Sequence, residues 1–411
     1  MAETFETIEE RERVILVAVE LTEDVTCSLD ELEELVSTAG ADTVGRLVQK
    51  REAFHPGTYI GKGKMNELKE MVIRLQADTI VCDDELSPAQ ITNLQDEVDC
   101  RVIDRTVLIL DIFAAHARTS EGKLQVELAQ LRYRSSRLIG LGKVLSRLGG
   151  GIGTRGPGEK KLEMDRRLIK ERISMLNRQL KDVVQSRDTM RKQRSQNQTP
   201  TVAIVGYTNA GKSTLLNTLT QAKVLEEDKL FATLDPTTRA LELEDGQKIL
   251  FTDTVGFISK LPHQLIKAFR STLEEAKYAD VILHVVDASN PEYSRQMEVV
   301  YETLKELGVV DKPVLTAFNK IDQIDPGKSE ALKDLRSDET VRISARHGVG
   351  MEELLNAVEE LLNQGFVTIE RLVSYSDAGF IQKVRQYGKL EIEEYREDGI
   401  FIRASVPPFI G

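Results

Sequence analysis

The 411-residue chain has few of the residues that build disulfide frameworks or transition-metal sites. Its three cysteines are odd in number and lack CxxC spacing, which argues against disulfide pairing and a zinc ribbon. Its five histidines are scattered and form no HExxH motif. No apolar run approaches the roughly 20 residues that span a bilayer, and the first residues are acidic where a signal peptide is basic. These absences predict a soluble, cytoplasmic protein with no stable membrane insertion.

Acidic residues outnumber basic ones, except in one segment. The chain has 67 acidic and 55 basic residues, a formal net charge of −12, which by itself argues against binding to nucleic acid. Residues 131–200, however, contain 12 arginines, 6 lysines and only 6 acidic residues, a net charge of +12. Aromatic residues are absent between Arg137 and Pro200, which disfavours recognition by base stacking. The segment therefore indicates attraction to RNA phosphates.

Apolar runs alternate with amphipathic helical patterns in the first 116 residues. Val14–Val19 and Thr79–Cys82 have the continuous apolar character of buried strands, whereas Leu29–Ser37 and Lys64–Leu75 have helical periodicity. Strands that alternate with helices are typical of a parallel sheet covered by helices. We therefore expect a small parallel α/β domain at the N-terminus.

The basic segment shows apolar residues at spacings of three, four and seven, as in two long helices with narrow apolar seams. Between the helices, residues 140–158 hold 8 of the 27 glycines, and we expect no helix in this stretch. The pattern predicts an antiparallel helical hairpin with a flexible basic loop at its tip. The seam residues are Leu124, Leu128, Leu131 and Leu138 in the first helix, and Ile169, Ile173, Leu176, Leu180 and Val183 in the second.

A glycine-rich phosphate-binding motif follows the apolar strand Thr201–Val205. The sequence GYTNAGKS matches GxxxxGK[ST] between a strand and a helix, the context that this motif requires. Its backbone N–H groups would surround phosphate oxygens, Lys212 would add a positive charge, and Ser213 would supply a hydroxyl to Mg²⁺. The candidate nucleotide-binding residues here are Gly206, Tyr207, Thr208, Asn209, Ala210, Gly211, Lys212, Ser213 and Thr214.

A second motif, DxxG, follows the strand Leu250–Thr254. Asp253 would hold Mg²⁺ through water, and the Gly256 N–H would contact the γ-phosphate. Thr254 and Val255 complete the candidate segment. DxxG alone is a weak signal, but its position after the phosphate loop predicts a nucleoside triphosphatase.

A third motif, NKxD, selects the base. Asn319, Lys320 and Asp322 follow the strand Val314–Phe318. The Asp322 carboxylate can accept from N1–H and the exocyclic amine of guanine, whereas adenine would leave it unpaired. The sequence therefore predicts binding of GTP and GDP.

A further loop follows the short strand Val341–Ile343. Its residues Ser344, Ala345 and Arg346 would bring a backbone N–H to guanine O6. The alternative is that Ser344 only caps the next helix.

The loop that senses the γ-phosphate is expected between the first two motifs, within Phe231–Arg239. Phe231, Ala232 and Thr233 are its candidate residues, and the Thr233 hydroxyl would complete the Mg²⁺ shell; Thr237 and Thr238 are alternatives. The expected catalytic residues are Lys212, Thr233 and Gly256.

The residue after DxxG is Phe257, where many GTPases have a glutamine that orients water. Because a phenylalanine side chain can neither donate nor accept, we expect slow intrinsic hydrolysis that a partner, an ion or backbone groups complete.

The sequence GGIGTRGPGEKKLEMDRR at residues 150–167 resembles the signature of the HflX family, and so does FATLDPT at residues 231–237. The P-loop, DTVGF, NKID and SAR motifs are similar to those of translation-factor-type GTPases. The resemblance covers essentially the whole chain. It implies a cytosolic bacterial GTPase that binds the large ribosomal subunit, reaches its hairpin tip toward the peptidyl-transferase centre and splits stalled or idle ribosomes. Asn209 matches the asparagine of potassium-activated relatives, which implies K⁺ beside the phosphates.

The expected fold class is multidomain α/β. The domains are an N-terminal α/β domain (1–118), a basic hairpin with a glycine-rich tip (119–198), a P-loop GTPase domain (199–364) and a small C-terminal α/β domain (365–411). The leading hypothesis is a monomeric, Mg²⁺-dependent GTPase that binds ribosomal RNA of the large subunit through residues 131–200. The alternative is a signalling switch that recruits a protein partner through the hairpin.

Overall fold

The computed structural model describes residues 11–148, 157–196, 199–220, 230–231, 236–242, 248–261, 275–309, 311–364 and 366–406. The chain divides into two compact units, Met1–Asp182 with Lys260–Ala268, and Val183–Ser259 with Phe269–Gly411. Both units combine helices and sheets, so the predicted α/β class is confirmed. None of the described helices combines the length and apolar character that crossing a membrane requires.

A four-stranded parallel sheet with the order β2-β1-β3-β4 forms the centre of the first unit. The two predicted strands and two predicted helices are all present, each with ends within a few residues of those expected. β1 and β3 are apolar and buried because helices cover both faces of a parallel sheet. The elements are β1 (Arg13–Glu20), α1 (Thr26–Thr38), β2 (Asp42–Lys50), α2 (Lys62–Leu75), β3 (Thr79–Cys82), α3 (Pro88–Val98), β4 (Arg101–Asp104) and α4 (Arg105–His116).

Two long helices follow, α5 (Ser120–Leu148) and α6 (Pro157–Gln196). The expectation that no helix occupies residues 140–158 was wrong, because α5 runs through Gly140 and Gly142 and α6 includes Gly158. A glycine costs a helix only about 1 kcal/mol relative to alanine, and the leucine, valine, lysine and arginine residues between these glycines are tolerated or favoured in helices. The predicted tip loop falls largely on residues 149–156, which lie outside the described residues.

The two helices contact each other through polar side chains beside a narrow apolar seam. The Arg172 guanidinium donates to both carboxylate oxygens of Glu127, at 2.7 and 2.9 Å, and Arg132 donates to Asn177 at 3.1 Å. Leu176, a predicted seam residue, is fully buried, whereas its neighbours Met175 and Asn177 are exposed. The seam thus explains why the apolar residues of α6 are sparse and regularly spaced.

The carboxylate of Asp104, at the end of β4, joins three elements of the first unit. Its Oδ1 accepts from the Val107 N–H and so caps α4, and its Oδ2 accepts from the Leu86 N–H at 3.0 Å. Tyr133 and Arg137 of α5 also donate to Oδ2. Burial raises the pKa of the Asp104 carboxyl, while Arg137 acts in the opposite direction. The buried ion pair therefore fixes the first helix of the hairpin to the N-terminal sheet.

The second unit contains a six-stranded sheet with the order β10-β9-β8-β5-β7-β6, parallel except for β6. The central strands β5 and β8 are almost wholly buried, as expected for strands covered on both faces. The elements are β5 (Thr201–Gly206), α7 (Lys212–Thr220), β6 (Thr237–Glu242), β7 (Lys248–Asp253), β8 (Val281–Asp287), α8 (Tyr293–Glu306), β9 (Val314–Asn319), a 3-10 helix (Ile321–Gln323), α9 (Pro326–Ala331), β10 (Glu339–Arg342) and α10 (Met351–Leu362).

The same unit ends in a three-stranded antiparallel sheet with the order β11-β13-β12. Its strands are β11 (Val367–Val373), β12 (Lys389–Arg396) and β13 (Gly399–Val406), and α11 (Ala378–Tyr387) precedes β12. The combination of helix and strands predicted for this segment is present. Ile381 and Val384 of the helix pack with alternate residues of β13 in an apolar core.

We expect Asp104→Asn to lower the free energy of unfolding of the first unit by about 3 kcal/mol. The amide presents N–H groups toward donors and leaves Arg137 without its buried anion. Native-state hydrogen exchange at the β3 and β4 amides measures this loss within a multidomain chain.

Arg172→Gln is the matched control for this experiment. It breaks an ion pair whose partners are 45% and 39% exposed, so we expect a loss below about 1 kcal/mol. Equal losses in the two variants would contradict the role of Asp104.

Candidate nucleotide-binding site

The predicted motifs meet at the carboxyl ends of parallel strands in the second unit. The phosphate loop begins where β5 ends at Gly206, DxxG begins where β7 ends at Asp253, and NKxD begins where β9 ends at Asn319. The SAR segment follows β10 at Ser344. Strands of a parallel sheet end at the same edge, so loops far apart in sequence converge there. β5 and β7 are neighbours, which places the first two motifs side by side.

The backbone of the phosphate loop needs glycine at position 211, where a side chain would have no room. Gly211 has φ +92°, and a Cβ there would lie 2.3 Å from Asn319 Nδ2. Asn209 also has a positive φ, +60°, which asparagine tolerates better than most residues, and its side chain is exposed. The loop thus curls tightly, as a backbone that surrounds phosphate oxygens must.

Lys212 is the buried cation of the loop. It is only 6% exposed, and its Nζ donates to the Tyr207 carbonyl at 2.8 Å. Burial lowers the pKa of Lys212 to about 8, and the nearby Asp253 carboxylate opposes this shift. A bound phosphate would raise this pKa again because it stabilises the charged ammonium.

Ser213 and Asp253 bring two potential metal-ligand oxygens together. The Ser213 hydroxyl donates to Asp253 Oδ2 at 2.7 Å, and Asp253 is fully buried. Hydroxyl and carboxylate oxygens beside phosphates are the ligand types that Mg²⁺ prefers, so the residues fit this ion. Thr254 points elsewhere, since its hydroxyl donates to the Ile204 carbonyl at 2.8 Å.

The DxxG segment lies directly against the phosphate loop. Thr208 N–H donates to the Phe257 carbonyl at 2.8 Å, and Phe257 N–H donates to the Gly206 carbonyl at 3.1 Å. A Cβ on Gly256 would lie 2.8 Å from Thr208 Cγ2 and 3.1 Å from Lys212 Nζ, so this position also has no room for a side chain. The Phe257 ring is 2% exposed and offers no polar group.

Asn319 connects the base motif to two other loops. Its side-chain amide donates to the Ala210 carbonyl at 2.8 Å, and its Oδ1 accepts from the Ala345 N–H at 2.9 Å. Asn319 is 3% exposed, so these bonds lie away from water. The amide therefore sets the distance between the phosphate and base ends of the site.

Asp322 and Ser344 lie together at the base end. The Ser344 hydroxyl donates to Asp322 Oδ1 at 2.5 Å, and this bond is the main reason that the pKa of the Asp322 carboxyl is lowered. The backbone N–H of Ser344 donates to the Val349 carbonyl, while Arg346 is exposed. Ser344 thus holds an ionised acceptor in place, a role different from the helix cap that was the alternative, and the contact of this segment with guanine O6 stays a prediction.

The γ-phosphate-sensing loop is described only in part. Phe231 is buried with φ +58°, but Ala232 and Thr233 lie outside the described residues. Of the alternatives, Thr237 lies on β6, and the Thr238 hydroxyl is 3.0 Å from that of Thr252. Thr233 therefore stays a prediction.

Two contacts at the site were not predicted from the sequence. The Tyr207 hydroxyl accepts from the Ser259 N–H at 2.7 Å and lies 2.6 Å from the Ser259 hydroxyl. Lys320 forms an ion pair with Asp287, at the end of β8, at 2.7 Å. Neither Ser259 nor Asp287 stands in a motif. The position of Ser259 shortly after DxxG, and that of Asp287 at the end of a strand, are the sequence signals that could have suggested a role.

Comparison with known proteins places this chain in a family. Three family models match: "GTP-binding GTPase N-terminal" over residues 26–114, "GTP-binding GTPase Middle Region" over 116–194, and "50S ribosome-binding GTPase" over 201–320. The GTPase HflX of Lacrimispora saccharolytica is 63% identical over 99% of this chain and 96% of its own length. That of Caldanaerobacter subterraneus is 48% identical over 98% of this chain and 92% of its own length.

A solved structure of a GTP-binding protein from Sulfolobus solfataricus, in complex with GDP, is 26% identical. The match covers 86% of this chain and 99% of that one, with a TM-score of 0.45. Because relatives of 63% and 48% identity span nearly the whole sequence, the chain belongs to the HflX family and is a P-loop GTPase.

Proposed function

We propose that the protein is a GTP-dependent factor that binds the large ribosomal subunit through its basic hairpin and splits stalled or idle ribosomes. The observation that carries this proposal is the net charge of +12 in residues 131–200, next to a domain that matches the 50S ribosome-binding GTPase model. Lysine and arginine side chains on exposed helices displace counterions from RNA phosphates. The other residues sum to −24, so repulsion elsewhere would orient the encounter.

At the candidate site, the phosphate loop would hold the α- and β-phosphates, and Asp322 would read guanine. Mg²⁺, which P-loop GTPases generally use, would be held by Ser213 directly and by Asp253 through water, with Thr233 joining only while the γ-phosphate is present. This ion neutralises charge on the phosphates. The close contact of Gly256 with the loop supports its role in sensing the γ-phosphate.

The cycle follows from this arrangement. GTP would order Thr233 and Gly256 and favour the ribosome-bound state, and hydrolysis would release the protein. The buried Phe257 ring provides no group that orients water, so intrinsic hydrolysis would be slow. We propose that the protein acts as a cytoplasmic monomer with the domain boundaries 1–118, 119–198, 199–364 and 365–411.

The alternative is a signalling switch whose hairpin binds a protein partner. Exposed lysines and arginines along α6 favour RNA over this reading, because a protein-binding helix needs an apolar face beyond the narrow seam. Co-sedimentation separates the two functions.

With a non-hydrolysable GTP analogue, we expect co-sedimentation with large subunits that weakens steeply as salt rises. Arg167→Gln with Lys170→Gln removes two exposed charges from α6 and should lower the logarithmic salt slope by about 2, or about 1 for each phosphate contact. Arg336→Gln with Arg371→Gln removes two charges from the second unit and should leave the slope unchanged. Failure to bind at low salt would overturn the proposal. If the protein binds but 70S ribosomes added to the same mixture do not dissociate into subunits, the splitting activity would be contradicted.

Asp322→Asn should shift base preference from guanine toward xanthine. The amide donates where the carboxylate could only accept, and xanthine offers an oxygen in place of the exocyclic amine. Competition of XTP and GTP for binding measures the shift. Ser344→Ala is the control, because it removes the hydrogen bond to Asp322 and keeps the carboxylate, so guanine should still be preferred. A GTP preference unaltered in Asp322→Asn would show that the base lies elsewhere.

Asn209 is proposed to hold K⁺ beside the phosphates, where the ion would stabilise charge in the transition state. Its exposed side chain and left-handed backbone at the loop leave it free to face the nucleotide. GTP hydrolysis should be faster in KCl than in NaCl, and Asn209→Ala should abolish the difference. Equal rates of the unaltered protein in the two salts would mean that Asn209 only shapes the loop.

A further inference from the structure

Hydrolysis in this protein needs a polar group that the DxxG segment does not supply. The side chain after DxxG is the buried ring of Phe257, and the Phe257 backbone N–H and carbonyl are bonded to the phosphate loop. An attacking water must nevertheless be held in line with the γ-phosphate. Another element of the chain at the same place could supply the group that holds it.

Thr208, the third residue of the phosphate loop, lies at that place. The Cβ position of Gly256 is 2.9 Å from Thr208 Cα and 2.8 Å from its Cγ2, and the same position is 3.1 Å from Lys212 Nζ. Thr208 N–H also donates to the Phe257 carbonyl. Thr208, Gly256 and Lys212 thus meet where the two groups expected to contact the γ-phosphate come together.

The Thr208 hydroxyl has no partner within the described part of the chain. Thr208 is 5% exposed, and its Oγ1 is buried without a hydrogen bond to any described residue. By contrast, the buried hydroxyl of Thr254 donates to Ile204, and that of Thr303 donates to Val299 at 2.7 Å. An unsatisfied buried hydroxyl destabilises the structure, so a ligand that pairs with it would relieve this cost.

We propose that the Thr208 hydroxyl is a catalytic group that takes over the task of the missing glutamine. Its hydrogen would be donated to a γ-phosphate oxygen, and its oxygen would accept a hydrogen bond from the attacking water. The water oxygen forms a bond to the γ-phosphorus while the bond to the β,γ-bridging oxygen breaks, leaving its electron pair on GDP. The water proton ends on the released phosphate, so Thr208 is unchanged after each turnover.

If Thr208 has this role, hydrolysis depends on its hydroxyl group and not on the shape of its side chain. A hydroxyl that serves only the γ-phosphate and the water contributes to the hydrolysis of GTP and nothing to the binding of GDP. Valine has nearly the same shape as threonine but lacks the hydroxyl, whereas serine keeps the hydroxyl and lacks the methyl group. The two variants therefore distinguish chemistry from packing.

The test is single-turnover hydrolysis at saturating GTP, with GDP affinity measured on the same samples. Thr208→Val should lower the rate about 100-fold, the effect typical of losing one hydrogen bond to the developing charge, and should leave GDP affinity unchanged. Thr208→Ser should retain most of the rate. Thr303→Val removes a buried hydroxyl that is bonded within α8, and it should match the unaltered protein in both measurements.

Three results would overturn the proposal. The first is a Thr208→Val rate equal to that of the unaltered protein, which would make the hydroxyl idle. The second is a loss of GDP affinity in parallel with the rate, which would make Thr208 a packing residue. The third is a serine variant as slow as the valine variant, which would assign the effect to the methyl group.

Discussion

The side-chain amide of Asn319 is the interaction on which the geometry of the nucleotide site depends. It donates to Ala210 in the phosphate loop and accepts from Ala345 in the loop after β10. Gly211 packs so closely on the amide that any side chain there would collide with it. Both bonds are shielded from water, where hydrogen bonds are stronger and costlier to break. A neutral group therefore holds the phosphate loop, the NKxD loop and the loop after β10 in one fixed relation.

Charge is used in two different ways in the two units. In the first unit, buried charge is paired, as in the ion pair of Asp104 with Arg137 that anchors α5. In the second, Lys212 is buried at a cost seen in its lowered pKa of about 8, and a phosphate would restore its full charge. In the proposed function, the exposed basic residues of α6 would bind phosphate groups over a larger surface. The proposed function needs both, since Lys212 would face the phosphates of the nucleotide and α6 the phosphates of RNA.

Much of the fold and site could be predicted from the sequence because local rules govern those features. The apolar runs predicted the ends of β1, β3, β5 and β9 to within one or two residues. Each motif follows its strand as expected. The glycine-rich stretch was misjudged because glycine only weakens a helix, and helix-tolerant neighbours on both sides outweigh it through residue 148. The number of glycines alone does not predict the end of a helix, because the helix propensity of the neighbouring residues also contributes.

By itself, the sequence determined which residue types stand in each motif, the preference for guanine that they imply, and the concentration of positive charge in one segment. The tertiary structure alone decided which groups meet: the Ser344 hydroxyl on Asp322, the Tyr207 hydroxyl on Ser259, and the Thr208 side chain on Gly256. These partners are separated by tens of residues. Their contacts depend on the order and register of strands in the sheet, which no local pattern specifies.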